Sequence, residues 1–296
     1  MTQFTHHVRR AMATQAEVRL FGDDVAQLDA VAEMAFDEIA RVEQLLSRFD
    51  ATSELSRINR DAAGGACLVD FELLQILSDC RAWWLLTEGA FDIASGSRDE
   101  SGAPLTLDAV ELDVERRLVS FRASGVRLDL GAYGKGYALD CVAKLMRNQG
   151  VTSALLDLGT SSLVAIGAPL DAPAWTIDLQ NRSEISSPFE TLTLCDAALS
   201  TSAVWHSPRD HAITSDLLDP NTGQPLKTTA TCTVIAPTAT TAEALSTAFV
   251  VMGRDRADAL LAEWQNPSWR AIWCEEACPV VDSQTVETAE SQAARL

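Results

Sequence analysis

The sequence predicts an α+β fold, and two observations carry that expectation. Apolar residues recur every three or four positions in some long stretches and every second position in several short ones. The two kinds of stretch are mixed without the strict alternation of a doubly wound sheet. The chain has 296 residues, 47% of them apolar and 22% charged, which is the make-up of a soluble globular protein. At that length about 70–75% of the unfolded surface is buried on folding, so no covalent or metal staple is needed.

Taken in order, residues 23–47 place Val25, Leu28, Ala32, Ala35, Ile39, Val42 and Leu46 on one helical face, led in by acids that suit the positive helix end. A second helix is expected over 70–88, with Leu73, Leu74, Leu77, Trp84 and Leu85 inward and Gly89 as its stop. Its Trp83 and Trp84 read as core and rim. Between 105 and 130 the alternating runs LTLDAVELD, RLVSF and VRLDL predict a strand meander. A helix over 136–149 follows, then strands near 153–158, 163–166, 174–179 and 191–194, and a polar, loop-rich stretch over 200–228. A strand at 230–236, helices over 241–252 and 254–264, and a strand at 269–274 close the core. The tail DSQTVETAESQAARL carries few large apolar groups. One domain over 10–280 and a disordered tail over 282–296 are therefore expected.

Acidic residues outnumber basic ones 42 to 23, and the net charge of −19 repels nucleic acid and anionic lipid surfaces at long range. Neither nucleic acid nor membrane is expected as a partner. A small anionic ligand stays open, because one lysine, a loop of amides or a bound cation sets the potential inside a cleft. The start, MTQFTHHVRRAMATQAEVRL, shows no secretory signal pattern and no run approaches about 18 apolar residues, so a cytoplasmic location is expected. The seven cysteines, odd in number and mostly isolated in apolar runs, read as reduced, buried thiols. Cys274 and Cys278 lack a second pair or a nearby His, so zinc is not expected there.

Three stretches carry chemistry. VRLDLGAYGKGY, residues 126–137, is a strand, a turn bearing Gly131, Gly134 and Gly136, and a helix start. Such a turn lets backbone groups approach a ligand, and Lys135 completes an anion site or is simply solvated. SDLLDPNTGQP, residues 215–225, reads as a surface hairpin turn whose Asp216 and Asp219 are open to binding a cation or taking a proton. His206 and His211 lie upstream with no role assigned. In TTAEALST, Thr240 and Glu243 satisfy a capping box; alternatively Glu243 and Thr247, four apart, present two oxygens to a hard cation.

Seven blocks, LSRFDATSELSRIN (46–59), GAFDIASG (89–96), LDLGAYGKGYALD (128–140), LLDLGTS (155–161), LSTSA (199–203), LDPNTGQP (218–225) and TVIAPTATTAEALSTAFVVMG (233–253), occur in the order found in the ApbE-type flavin transferases. No single block identifies the family; the order and spacing of all seven do. The chain resembles that family over residues about 10–275. The resemblance implies an ApbE-like, T-fold-like α+β architecture of antiparallel sheets with packed helices. It implies a magnesium-dependent enzyme that takes FAD as substrate and transfers FMN to a Thr or Ser hydroxyl of an acceptor protein, releasing AMP. Alternative readings are an FAD pyrophosphatase giving FMN and AMP, and a non-catalytic flavin nucleotide-binding protein.

Carried over by motif, the metal ligands fall on Glu243, Thr247 and the carbonyl of Gly134. Lys135 and Gly136 keep the family's KG beside the nucleotide. Glu54, Leu55, Ser56, Asp92, Asp157, Gly159 and Ser202 match cleft blocks, and Asp219 and Thr222 match the DPxTG loop. Three positions depart from the pattern. Asp216 stands where the family has His as its expected base, Glu243 stands for a metal-binding Asp, and Met12-Ala13-Thr14 stands for MGT. With reference pKa values about 2.5 units apart, Asp is a weaker base than His at neutral pH.

Overall fold

The computed structural model describes residues 3–181, 184–206, 213–214, 217–274 and 279–282. Seven strands pair in one antiparallel sheet in the order Gln3–Ala11, Thr14–Gly22, Ser153–Leu158, Ser162–Ile166, Ala197–Ala203, Thr231–Ala236 and Arg270–Cys274. The helices are α1 (Val25–Leu46), α2 (Glu54–Asp61), α3 (Phe71–Leu86), α4 (Gly134–Asn148), α5 (Ala239–Met252) and α6 (Arg254–Trp264). The α+β expectation holds, with antiparallel sheets and packed helices. Among the described residues no helix is long and apolar enough to cross a membrane.

The central strands are buried on both faces because each face has its own cover. Along Ser162–Ile166, Val164 and Ile166 join the core shared with the helices, while Leu163 and Ala165 join a second core. That second core is built with Trp175, Ile177, Leu179, Leu192 and Leu194 from the strands Trp175–Asn181 and Glu184–Leu194. Those two strands pair antiparallel and Pro279–Asp282 adds a third. Period-two alternation with both partners apolar produces the continuous hydrophobic runs seen in the sequence.

Several expectations shift. VRLDL is not a strand: its backbone bonds go to side chains and loop carbonyls, with Leu128 N–H donating to Asn59 Oδ1 at 2.7 Å, Asn59 Nδ2 donating back to the Leu128 carbonyl at 2.8 Å and Asp129 N–H donating to the Ile93 carbonyl at 2.7 Å. Leu85 is 65% exposed rather than inward, since it sits about 100° round the helix from Trp84. Trp83 instead meets Trp269, which meets Trp264 edge-on. The hairpin over 3–22, α2 and the strand Ala197–Ala203 have no counterpart in the sequence reading. The hairpin escaped it because its first strand, QFTHHVRRA, lies at the sheet edge with mostly polar, exposed side chains, and its turn is Met12-Ala13 rather than a glycine pair. Cys195 is exposed, while Cys80 and Cys232 are buried and burial pushes both thiols up. Cys278 and the tail from 283 onward fall outside the described residues.

Helices α4 and α5 cross in close contact at Gly136. A Cβ there would stand 2.5 Å from the Ala239 carbonyl oxygen and 2.8 Å from Thr240 N. Asp140 of α4 fastens the crossing, accepting from Ala239 N at 2.8 Å, Thr240 N at 2.9 Å and Thr240 Oγ1 at 2.6 Å. The expected capping box of Thr240 with Glu243 is not formed. Thr238 is the N-cap, and a carboxylate from another helix serves the α5 N-terminus. Gly136→Ala is therefore expected to lower the unfolding free energy by about 1–3 kcal/mol in urea titrations. Lys144→Ala, on the exposed side of the same helix, should stay within about 0.5 kcal/mol.

Candidate functional site

A cleft of about 570 Å³ opens where the first turn of α4, the face of α5 and the ends of the central strands converge. Its lining includes Asp92, Asp129, Lys135, Ser202, Glu243 and Thr247. At its floor Glu243 is 3% exposed. Its Oε1 lies 2.6 Å from Lys135 Nζ, and its Oε2 accepts from Gly136 N–H at 2.6 Å. Helix α4 has no side-chain cap of its own, so a carboxylate projected from α5 takes that place. Lys135 also reaches the Gly131 carbonyl at 3.3 Å.

Beside Glu243 stands a row of hydroxyls. Ser202 Oγ is 3.2 Å from Thr247 Oγ1 and 2.9 Å from Ser246 Oγ. Ser246 lies in turn 3.3 Å from Ser200 Oγ and donates to the Glu243 carbonyl at 3.1 Å. One buried carboxylate with hydroxyl oxygens suits a hard divalent cation that keeps waters and takes its remaining ligands from phosphates. Among the described residues no group of three or more His, Cys, Asp and Glu is placed to hold a metal ion.

The turn between the strands Ser153–Leu158 and Ser162–Ile166 forms another wall. Gly159 and Thr160 both have positive φ, 77° and 57°, and a Cβ at Gly159 would stand 2.6 Å from Thr14 Oγ1. Asp157, buried, accepts from Thr160 N–H at 2.9 Å and so holds the turn while Gly159, Thr160 and Ser161 line the cleft. Met12 and Ala13 have φ of 49° and 60°, which makes Ala13 an alanine in the left-handed region that glycine fills more readily. Gly134 is not a lining residue, and a Cβ there would stand 3.4 Å from Met12 Cε and 3.6 Å from Leu46 Cδ1.

Other sequence-selected residues are placed behind the cleft or at its edge. Glu54, Leu55 and Ser56 form the first turn of α2, capped by Ser53. Leu55 is fully buried, Glu54 pairs with Arg57 at 2.6 Å, and Ser56 donates to the Ser47 carbonyl. None of the three is a lining residue. The same sequence block instead brings Arg48 and Phe49 to the rim. Phe49 is 80% exposed, the Arg48 guanidinium lies 4.3 Å over its ring, and Arg48 pairs with Asp129 at 2.8 Å. The exposed aromatic in LSRFD was the available signal. Asp219 accepts from Asn221 N–H at 2.9 Å and Thr222 Oγ1 at 3.0 Å, a self-contained turn that sets Leu218 and Pro220 against the cleft. Arg98 fixes that turn by donating to the Gly223 carbonyl at 2.6 Å. Asp216 and His211 lie outside the described residues, and nothing is described of the His206 side chain.

The fold and this cleft define an α+β protein whose site joins a lysine, buried carboxylates and hydroxyls, groups suited to a phosphate-bearing ligand. The match of residues 12–273 to the model of the ApbE family makes the assignment specific: the chain belongs to that family. It is 27% identical over 291 residues to the FAD:protein FMN transferase of Treponema pallidum, spanning 86% of this chain and 80% of the relative. It is 25% identical over 252 residues to that of Vibrio cholerae, spanning 77% and 75%. Solved structures with the same fold include the ApbE protein of Thermotoga maritima, TM-score 0.78 at 22% identity over 99% of both chains. The apo flavinyl transferase ApbE of Pseudomonas stutzeri also has TM-score 0.78, at 20% identity over 95% of this chain and 94% of that one.

Asp92 is mostly buried in the cleft wall, and burial raises its carboxyl from 3.8 to about 6 even though Ala94 N–H, Leu107 N–H and Trp84 Nε1 donate to it. Because the folded-state value is the higher one, the protonated form contributes stability that is complete below about pH 3.8 and lost as pH rises through about 6. In chemical unfolding at several pH values, the stability of the wild type relative to Asp92→Asn should fall by up to about 3 kcal/mol between pH 4 and 7. A difference that instead grows with pH would contradict the assigned shift.

Proposed function

We propose that this chain is an FAD:protein FMN transferase. The observation that carries the reading is the meeting of Lys135, Glu243 and Thr247 on the floor of the cleft, in a chain whose family relatives bear that name over most of their length. In the proposed reaction a Thr or Ser hydroxyl oxygen of an acceptor protein attacks the FMN-side phosphorus of FAD. A new P–O bond forms, the bond from that phosphorus to the bridging oxygen breaks, and AMP leaves with the electron pair.

The chain's own groups divide the work. Lys135 places a positive charge at the phosphates, and the hydroxyls of Thr160, Ser161 and Ser202 offer donors along the same wall. Phe49 offers an exposed ring face at the rim. Asp216 is the proposed base that takes the hydroxyl proton, a task carboxylates perform in other phosphoryl transfers. Glu243 and Thr247, with the Gly134 carbonyl as the proposed third ligand, would hold Mg²⁺, which when bound neutralises pyrophosphate charge.

The test is incubation with FAD, Mg²⁺ and an acceptor peptide carrying Ser or Thr, following AMP by chromatography and acceptor mass. A peptide mass gain of one FMN together with AMP is expected, and Asp216→Ala should slow transfer by about a hundredfold or more. AMP with free FMN and an unmodified peptide would replace this reading with an FAD pyrophosphatase. FAD binding without either product would replace it with a binding protein.

A further inference from the structure

The carboxylate assigned to the cation is already engaged. Glu243 Oε1 lies 2.6 Å from the Lys135 ammonium, and the oxygen accepting from Gly136 N–H is the other one. Each carboxylate oxygen therefore has its shortest contact with a positive or partly positive donor in the first turn of α4. An oxygen at 2.6 Å from an ammonium cannot also bind a divalent ion at about 2.1 Å without setting two positive centres side by side.

Ser162 Oγ makes a third, long contact with Oε1 at 3.5 Å, and the two closer partners of Glu243 differ in freedom. Gly136 N–H is fixed in the helix, against the backbone of Ala239. Lys135 has a flexible stem, its side chain is 24% exposed, and it lines the cleft. Its remaining acceptor is the Gly131 carbonyl at 3.3 Å, a long contact. Of the two, the ammonium is the group that can leave, provided another anion receives it.

We propose that Lys135 is the resident counterion of Glu243 and is exchanged between the carboxylate and a substrate phosphate, so that the divalent cation and the pyrophosphate bind as coupled ligands. The cation alone must displace Lys135 with nothing to receive the ammonium. A pyrophosphate alone draws Lys135 away and leaves Glu243, buried, without its counterion. Together each ligand supplies what the other removes, and by linkage each tightens the other to the same factor. This rests on the transferase reading only for the expectation that a pyrophosphate enters the cleft.

The experiment titrates Mn²⁺ into the full chain and reads free Mn²⁺ by paramagnetic resonance, with and without saturating ADP as a stable pyrophosphate, and the Mn²⁺ that the same ADP holds in protein-free titrations is subtracted. No turnover enters the readout, so an absence of FMN transfer sinks the transferase reading without touching this result. In the wild type, ADP should tighten Mn²⁺ at least tenfold. Lys135→Met and Lys135→Gln, the second retaining a neutral donor of similar length, should each bind Mn²⁺ alone at least threefold more tightly than the wild type. Their tightening by ADP should be correspondingly smaller. If both variants bind Mn²⁺ alone no more tightly than the wild type, or if the wild type shows no coupling or no Mn²⁺ binding, the proposal is overturned. Unfolding curves of both variants establish that the comparison is made on folded protein.

Discussion

The contact on which the rest of the site depends is the carboxylate of Glu243 set between the Lys135 ammonium and the Gly136 amide. It is a long-range contact, joining positions 107 and 108 apart in sequence, and it sits where α4 and α5 cross in close contact at Gly136. The two helices serve each other's N-termini: Asp140 from α4 accepts from the start of α5, and Glu243 from α5 accepts from the start of α4. A buried carboxylate without such partners carries a large desolvation cost, so the crossing and the charge depend on one another. Gly136 permits both, by clearing the space its Cβ would need and by offering the amide.

The cleft follows from this crossing. With α4 and α5 locked, Lys135 and Thr247 face the same opening, and the hydroxyl row of Ser200, Ser202 and Ser246 continues it across the adjoining strand. The turn at Gly159 and Thr160 closes the far side because Asp157 holds a backbone conformation that side chains other than glycine rarely adopt. The net charge of −19 gives no hint of this. A single lysine and a rim arginine set the local field against Asp92, Asp129 and Glu243.

Most of the fold was legible in the sequence, and the reasons differ by element. α1 and α6 were legible because their apolar spacing and their ends agree, and the strands at 153–158 and 162–166 because burial on both faces leaves unbroken apolar runs. The hairpin over 3–22 was not, since an edge strand with polar side chains and a non-glycine turn carries no periodic signal. The stretch 126–130 read as a strand because apolar alternation does not reveal that Asn59, 69 residues away from Leu128, supplies the backbone partners. Within the site, the resemblance led to Lys135, Glu243 and Thr247 through local motifs, whereas their mutual distances are tertiary facts. Glu54, Leu55 and Ser56 share a sequence block with the rim residues Arg48 and Phe49. A block shows which segment approaches a cleft, and only the helix cap at Ser53 decides which of its side chains turn inward.

Lys135 and Glu243 form one energetically coupled unit at the α4–α5 crossing. A double-mutant cycle on unfolding free energy, using Lys135→Met, Glu243→Gln and the double variant in the absence of metal and nucleotide, tests it directly. A coupling of about 1–3 kcal/mol is expected, with the double variant more stable than the sum of the single losses implies. Losses that add to within about 0.5 kcal/mol would contradict it.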